Sequence, residues 1–309
     1  MAKSVLNAVH FQSEAAAFAY VEARLWPNGP VCPFCGETKS VGRLNGKTTR
    51  PGLCKCYVCR KPFTVRIGTI FESSHLALHL WLQVIHLMCA SKKGISTRQI
   101  QRMLDCSMKT AWFLSHRIRE AMKPANDAGP LGGEGVILEA DETFIGAEAG
   151  KKLWRKPVEK QVVFSLVERG GSARSVHIPN VRAENLHTAV AAHADPKSFF
   201  FTDERVTYDD IGWNFRTHRT VNHSRQEYVR GMFHTNTVEG YFSILKRGLY
   251  GVYQHVSNVH LGRYLCEFDF RYSNRERLGI DDVSRADVAL QGFKGKRLTY
   301  RTTSGQVSA

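Results

Sequence analysis

Two apolar runs in the second half of the chain each end on an acidic residue. Ile137, Leu138, Glu139 and Ala140 lead to Asp141, and Phe199, Phe200, Phe201 and Thr202 lead to Asp203. A carboxylate at the end of a buried strand is held by a rigid sheet yet stays open to solvent, which suits it to hold a divalent cation. A third acid, Glu239, lies within HTNTVEGYFSILKRG (234–248), which reads as a helix, and Lys246 follows seven residues later, two turns along the same face. Three carboxylates suffice to hold two divalent ions about 3.5–4 Å apart, the arrangement that activates the attacking oxygen and stabilises the leaving one in an in-line displacement at a phosphodiester. A lysine on the same face would meet a nucleic-acid backbone as a point charge. Glu139 shares the strand face of Asp141 and is the strongest rival ligand. Glu142, Glu204, Asp209 and Asp210 also lie nearby, and spacing alone leaves each open as a ligand or a solvated charge.

A second chemistry is written in the cysteines. Five of the eight fall between Cys32 and Cys59, while Cys89, Cys106 and Cys266 are scattered among apolar residues as small hydrophobes. Cys32-Pro-Phe-Cys35 and Cys56-Tyr-Val-Cys59 are two CxxC pairs whose first members are 24 residues apart. Together they supply four thiolates to one tetrahedral Zn²⁺, a structural site because no position is left for water. Gly36 suits the positive φ of such a knuckle. The segment has few large apolar residues, so metal would provide much of its folding energy. Cys54 could exchange with Cys56, although the CxxC geometry favours Cys56.

The elements that must position these groups follow from periodicity. A helix capped by Ser13 places Phe18, Val21 and Leu25 on one face before Pro27 ends it. Leu78, Trp81, Leu82, Ile85, Met88 and Cys89 form the apolar stripe of a second. Ser96 with Gln99 and then Ser107 cap two short helices around an Asp105-Cys106-Ser107 turn, the pattern of a helix-turn-helix. In the second of these Ala111, Leu114, Ile118 and Met122 point inward, and the outer face is assigned Lys109, Thr110, His116, Arg117 and Arg119 as DNA contacts. The Pro- and Gly-rich KPANDAGPLGGEG (123–135) is a linker. Beyond it VILEAD (136–141), QVVFSLVER (161–169), SVHIP (175–179) and SFFFTD (198–203) read as strands around a helix at 183–194, followed by helices near 239–247 and 261–271. The expected division is 1–74 for the N-terminal helix and zinc ribbon, 75–122 for the helical DNA-binding region, 123–135 for the linker, 136–277 for the catalytic domain and 278–309 for a basic, frayed tail. The fold class is α/β (α+β) multidomain.

Lys and Arg number 43 against 28 Asp and Glu, a formal charge of +15, which favours a polyanionic partner through counterion release. No apolar run approaches the ~20 residues of a membrane span, and MAKSVLNAVHFQSE lacks a secretory h-region. A soluble cytoplasmic protein with no membrane partner is expected.

Several blocks in series resemble a known family. The ribbon, then GTIFE (68–72) and LHLW (78–81), ADETFIG (140–146), HTNTVEGYFSILKRGLYGVYQHVS (234–257) and YLCEFDFRYSNR (264–275) are similar to the zinc-ribbon, ISXO2-like class of bacterial insertion-sequence DDE transposases. The resemblance implies an RNase H-like mixed sheet with the first Asp on the first strand and the second after the fourth, at Asp141 and Asp203. Glu239 then completes the metal-binding catalytic set, and Lys246 is the basic residue that follows it. Some relatives use Asn for the last acid, but Glu239 rather than Asn236 keeps the spacing to Lys246; His234 and Asn236 are expected to support the site. Mg²⁺ (or Mn²⁺), two ions at the active site, is implied, as are homo-oligomers on double-stranded DNA, both terminal inverted repeats and target, in a bacterial cytoplasm at the nucleoid. A zinc-ribbon/helix-turn-helix regulator with an inert RNase H-like domain is the alternative, and a nuclease without strand transfer a third. The role of GAEAGKK (146–152) is unassigned.

Overall fold

The computed structural model describes residues 4–125, 128–146, 160–205, 207–221, 231–296 and 298, and groups the chain into two compact units. The GAEAGKK segment beyond Gly146 and the last eleven residues lie outside the described set.

The first unit holds the chain up to Lys123 together with the part from Asp281 on. Helix α1 (Glu14–Leu25) starts where Ser13 accepts a hydrogen bond from the Ala16 N–H, and it buries Ala17, Phe18 and Val21. A three-stranded antiparallel sheet follows, β1 (Val41–Arg43), β2 (Cys54–Cys56) and β3 (Pro62–Phe63), too small to hold a core without a metal. Helix α2 (Leu78–Ala90) buries Leu78, Trp81, Leu82, Val84, Ile85, His86, Met88 and Cys89, the predicted stripe with Val84 and His86 added. Helices α3 (Thr97–Leu104) and α4 (Met108–Ala121) begin at the predicted caps, with Ser96 accepting from the Gln99 N–H and Ser107 from the Thr110 N–H. Asp105 takes up the turn with a left-handed backbone at φ 46°.

The expected basic tail is in part an ordered element. The last helix among the described residues (Asp282–Gln291) is capped by Asp281 and buries Ala286, Ala289 and Leu290 against α1 and α2. Asp287 ties it to α1 through the Tyr20 hydroxyl (2.6 Å) and the Arg24 guanidinium. Its apolar residues, with Phe293, recur at three and four, a signal diluted by the Asp, Ser and Arg between them.

The second unit, 124–280, is built on a five-stranded sheet. In chain order its strands are β4 (Ile137–Ile145), β5 (Gln161–Glu168), β6 (Ala173–Ile178), β7 (Phe199–Asp203) and β8 (Thr217–Val221), and across the sheet the order is β6-β5-β4-β7-β8. The first three run antiparallel, while β7 and β8 lie parallel to β4. An order of third, second, first, fourth, fifth is the RNase H-like arrangement. Alternation along β4 separates the two faces. Leu138 and Ala140 pack with Phe164 and Phe200 against α5 (Ala183–His193) and α6 (Thr207–Gly212). Ile145, Val163 and Val167 pack against α7 (Asn236–Gly248) and α8 (Asn258–Ser273). The last helix, α9, is the one at Asp282–Gln291. Among the described residues no helix is long and apolar enough to cross a membrane.

Candidate active site and metal centres

Asp141 lies on the α7 face of β4. The parallel register pairs Ile137 with Phe199 and Glu139 with Phe201, and two further residues bring Asp203 beside Asp141 on the same face. Glu239 enters from above, in the first turn of α7. Burial pushes the Asp141 carboxyl up to about 7, and the negative charges of Glu142, Asp203 and Glu239 add to the rise. A buried carboxyl raised by the charges of acidic neighbours marks a donor set in want of a cation. They are held less tightly than the thiols of the ribbon: among the described residues only the four cysteines have ligand atoms all within 4.8 Å of one another. The residue types and their common face fit a divalent metal, and the looser spacing leaves room for phosphate and water oxygens.

Several groups hold this geometry. Across the antiparallel pair from Asp141 sits buried Ser165, which bonds Ser175 (2.8 Å). Ser175 in turn meets the Tyr241 hydroxyl and Asp269, each at 2.8 Å, joining α7 and α8 to the sheet below the site. Burial lifts Asp269 to about 6 despite its hydrogen bonds from Tyr241 and Ser175. Thr235 donates to Glu239 (3.0 Å). Lys246, half-buried, lies two turns further along α7, within about 20° of Glu239 around the helix at 3.6 residues per turn.

The rival acids fall apart by face. Glu142 points to the α6 side, where Tyr208 donates to it and Arg205 lies 3.4 Å away. Asp209 and Asp210 are in the first turn of α6. Glu139 does share the Asp141 face, but it is fully buried and already accepts from Arg169, Thr237 and Val238. His234 belongs to that cluster, 3.2 Å from Arg169, whereas Asn236 is exposed at the start of α7.

In the ribbon the Sγ atoms of Cys32 and Cys59, and those of Cys35 and Cys56, are 3.6 Å apart. A tetrahedron with Zn–S of about 2.3 Å has edges of about 3.8 Å, so the four thiols fit one Zn²⁺. Burial opposes ionisation of Cys32, but the N–H groups of Phe34 and Cys35 bring its thiol down to about 7, toward the thiolate that zinc requires. Cys54 stays outside this group; buried in β2 beside Phe63, its thiol is raised by burial.

The outer face assigned to α4 needs correction. Lys109 and Thr110 are exposed in its first turn, but His116, Arg117 and Arg119 are buried. His116 lies under Trp112 with ring centres 4.1 Å apart, and Arg119 donates to Ser115. Arg117 donates to the carbonyls of Ile70 and Glu72, both at 2.8 Å, and of Leu298 at 3.2 Å. The cause is long-range. Gly68 and Thr69 pair with Gly295 and Lys294, and Lys296 reaches the Ala121 and Lys123 carbonyls, so chain from both ends of the sequence covers the C-terminal half of α4. Between Lys92 and Ala121 the exposed basic residues are Lys92, Lys93, Arg98 and Arg102 on and before α3, with Lys109 on α4.

Comparison with known proteins places a domain family on each half of the chain. Residues 12–62 match the transposase zinc-ribbon domain family, and residues 130–273 match the ISXO2-like transposase domain family. A protein from Halobacterium salinarum, described as an uncharacterized protein in transposable element ISH50, is 28% identical over 278 residues, covering 84% of this chain and 91% of that one. Such domains imply DNA binding and nucleotidyl-transfer chemistry, and the ribbon's four cysteines support a structural zinc. The chain thus carries a transposase zinc-ribbon domain followed, in that order, by an ISXO2-like transposase domain.

Proposed function

We propose that this transposase binds the terminal inverted repeats of its own element, cleaves the DNA at the element ends and joins them to target DNA. The observation that carries the reading is the approach of Asp141, Asp203 and Glu239 on one sheet face, close enough that each charge raises the Asp141 carboxyl. These three residues would hold two Mg²⁺ (or Mn²⁺) ions. Such a pair supplies charge stabilisation at the attacking and leaving oxygens of a phosphodiester. The sheet holds Asp141 and Asp203 at fixed spacing, α7 brings Glu239 over them, and Lys246 binds the DNA backbone beside the site. The enzyme works in the cytoplasm at the nucleoid, as a homo-oligomer on paired ends.

End recognition is assigned to the exposed first turn of α4 and the adjoining face of α3, in keeping with recognition helices that meet base edges through their N-terminal residues. Arg117→Ala should therefore leave the salt dependence of DNA affinity unchanged. It should instead destabilise the first unit by about 2–3 kcal/mol, because one buried and two half-buried carbonyls lose a charged donor. Lys109→Ala should do the reverse, lowering the salt slope by about 1 with little change in melting temperature. A filter-binding series against salt, beside thermal melts of both variants, separates the two roles; a reduced slope in Arg117→Ala would return that residue to the DNA surface.

The activity itself is tested by incubating purified protein and Mg²⁺ with labelled DNA bearing the repeats that flank its gene, plus a target plasmid. Joined product supports strand transfer; cleavage alone would make the protein a nuclease, and binding alone a regulator.

A further inference from the structure

Helix α7 begins without a cap of its own. Thr235, at the cap position, donates its hydroxyl to the Glu239 carboxylate and supplies no side-chain cap to the helix N–H groups. The missing acceptor comes from β4. One oxygen of Glu139 accepts from the N–H groups of Thr237 (2.7 Å) and Val238 (3.1 Å), the second and third residues of the helix. The other accepts from the Thr237 hydroxyl (2.7 Å) and from Arg169 Nε (2.9 Å), with Arg169 Nη2 lying 2.8 Å away in the ion pair. Arg169 also donates to the carbonyls of Met232 (2.8 Å) and His234 (3.1 Å), fixing the chain segment that leads into α7.

Four donors fill the roughly four lone-pair sites of a carboxylate that has no exposed surface, so Glu139 has nothing left to offer a metal. Its negative charge sits where the helix dipole favours one. It is also two residues from Asp141 on the same strand face, about 7 Å along β4 at 3.3–3.4 Å per residue. Glu239 follows Val238 directly. The start of α7 is thus anchored to the strand that bears Asp141, and the spacing between the two acids is set by that anchor.

We propose that Glu139 is a positioning residue: with Arg169 it clamps the N-terminus of α7 and holds Glu239 at metal-sharing distance from Asp141. The inference rests on the reading of Asp141, Asp203 and Glu239 as metal ligands. It assigns Glu139 no contact with metal or DNA.

The test is Mn²⁺ binding to the full-length, zinc-loaded protein, counted by the electron paramagnetic resonance signal of free Mn²⁺. Glu139→Gln keeps the shape of the side chain but turns an amide N–H₂ toward donors. Its Kd for Mn²⁺ should rise by about tenfold, the lower end of what loss of a supporting partner costs a metal site, with the number of ions and the zinc content unchanged. Thr237→Val removes only the hydroxyl bond and should raise the Kd about twofold to threefold, while Thr237→Ser should match wild type; these decide the matter if Glu139→Gln fails to fold. Unchanged Mn²⁺ affinity in folded Glu139→Gln, or in Thr237→Val where that is the folded variant, overturns the proposal. So does loss of one whole ion, which would make Glu139 a ligand. Failure of the underlying reading is distinct: wild type and Asp141→Asn would then bind Mn²⁺ alike.

Discussion

Replacing Asp141 with asparagine is expected to lower Mg²⁺-dependent strand cleavage on the order of a thousandfold and, at the same time, to make the metal-free protein more stable above pH 7. The first effect follows from removing an anionic ligand. Metal-assisted stabilisation of a phosphoryl transition state is worth several kcal/mol, and a loss of about 4 kcal/mol is about a thousandfold in rate. The second follows from the raised carboxyl. Asp141 is pushed up to about 7 by burial and by its acidic neighbours, above its ordinary value of 3.8. Between those values the folded chain holds a proton that the unfolded chain has released, so stability falls as pH rises from about 4 to about 7 and the deficit is complete above 7. Asparagine carries no charge to penalise. Melts of the zinc-loaded, Mg²⁺-free proteins at pH 5 and pH 8 should show the variant gaining more at pH 8. A variant less stable than wild type at pH 8 would mean that the carboxylate is not under strain.

The largest structural effect is expected in the ribbon. The three strands between Val41 and Phe63 are two or three residues long, and their buried cluster consists of Cys32, Cys54, Cys56 and Phe63. Thiolate–zinc bonding is worth about 10–16 kcal/mol in zinc-finger peptides, well above what so small a core supplies. Cys35→Ser should therefore abolish zinc binding and open residues 31–63 to proteolysis, while Cys54→Ser should retain one zinc per chain. Zinc content by atomic absorption, with limited proteolysis, checks both. Full zinc in Cys35→Ser would remove Cys35 from the ligand set, and loss of zinc in Cys54→Ser would admit Cys54 to it.

What could be read from the sequence was whatever local pattern controls. Ser13, Ser96 and Ser107 cap the helices they were expected to cap, and the β4, β5 and β7 runs are apolar because both of their faces are covered. Strand β8 escaped because THRTV is an edge strand, paired on one side, whose side chains are mostly polar. The misassigned face of α4 shows the limit of periodicity. A polar stripe reads as solvated unless something distant covers it, and the cover for Arg117 comes from residues 68–72 and 294–298, far away in the chain. Glu139 is the converse case. Sequence placed it beside Asp141 as an equal candidate, and only the arrival of Arg169 and the α7 N-terminus, 30 and 98 residues further on, separates clamp from candidate ligand.

The central claim is that carboxylates distant in sequence act as one metal site on DNA. The most direct measurement is the joining of labelled element ends to a target plasmid by Asp203→Asn, run beside a binding assay on the same DNA. The account predicts joining reduced to background in Mg²⁺ with end affinity within about twofold of wild type, since Asp203 lies in the second unit and the recognition surface is assigned to α3 and α4 in the first. Joining at the wild-type rate by the variant would contradict it.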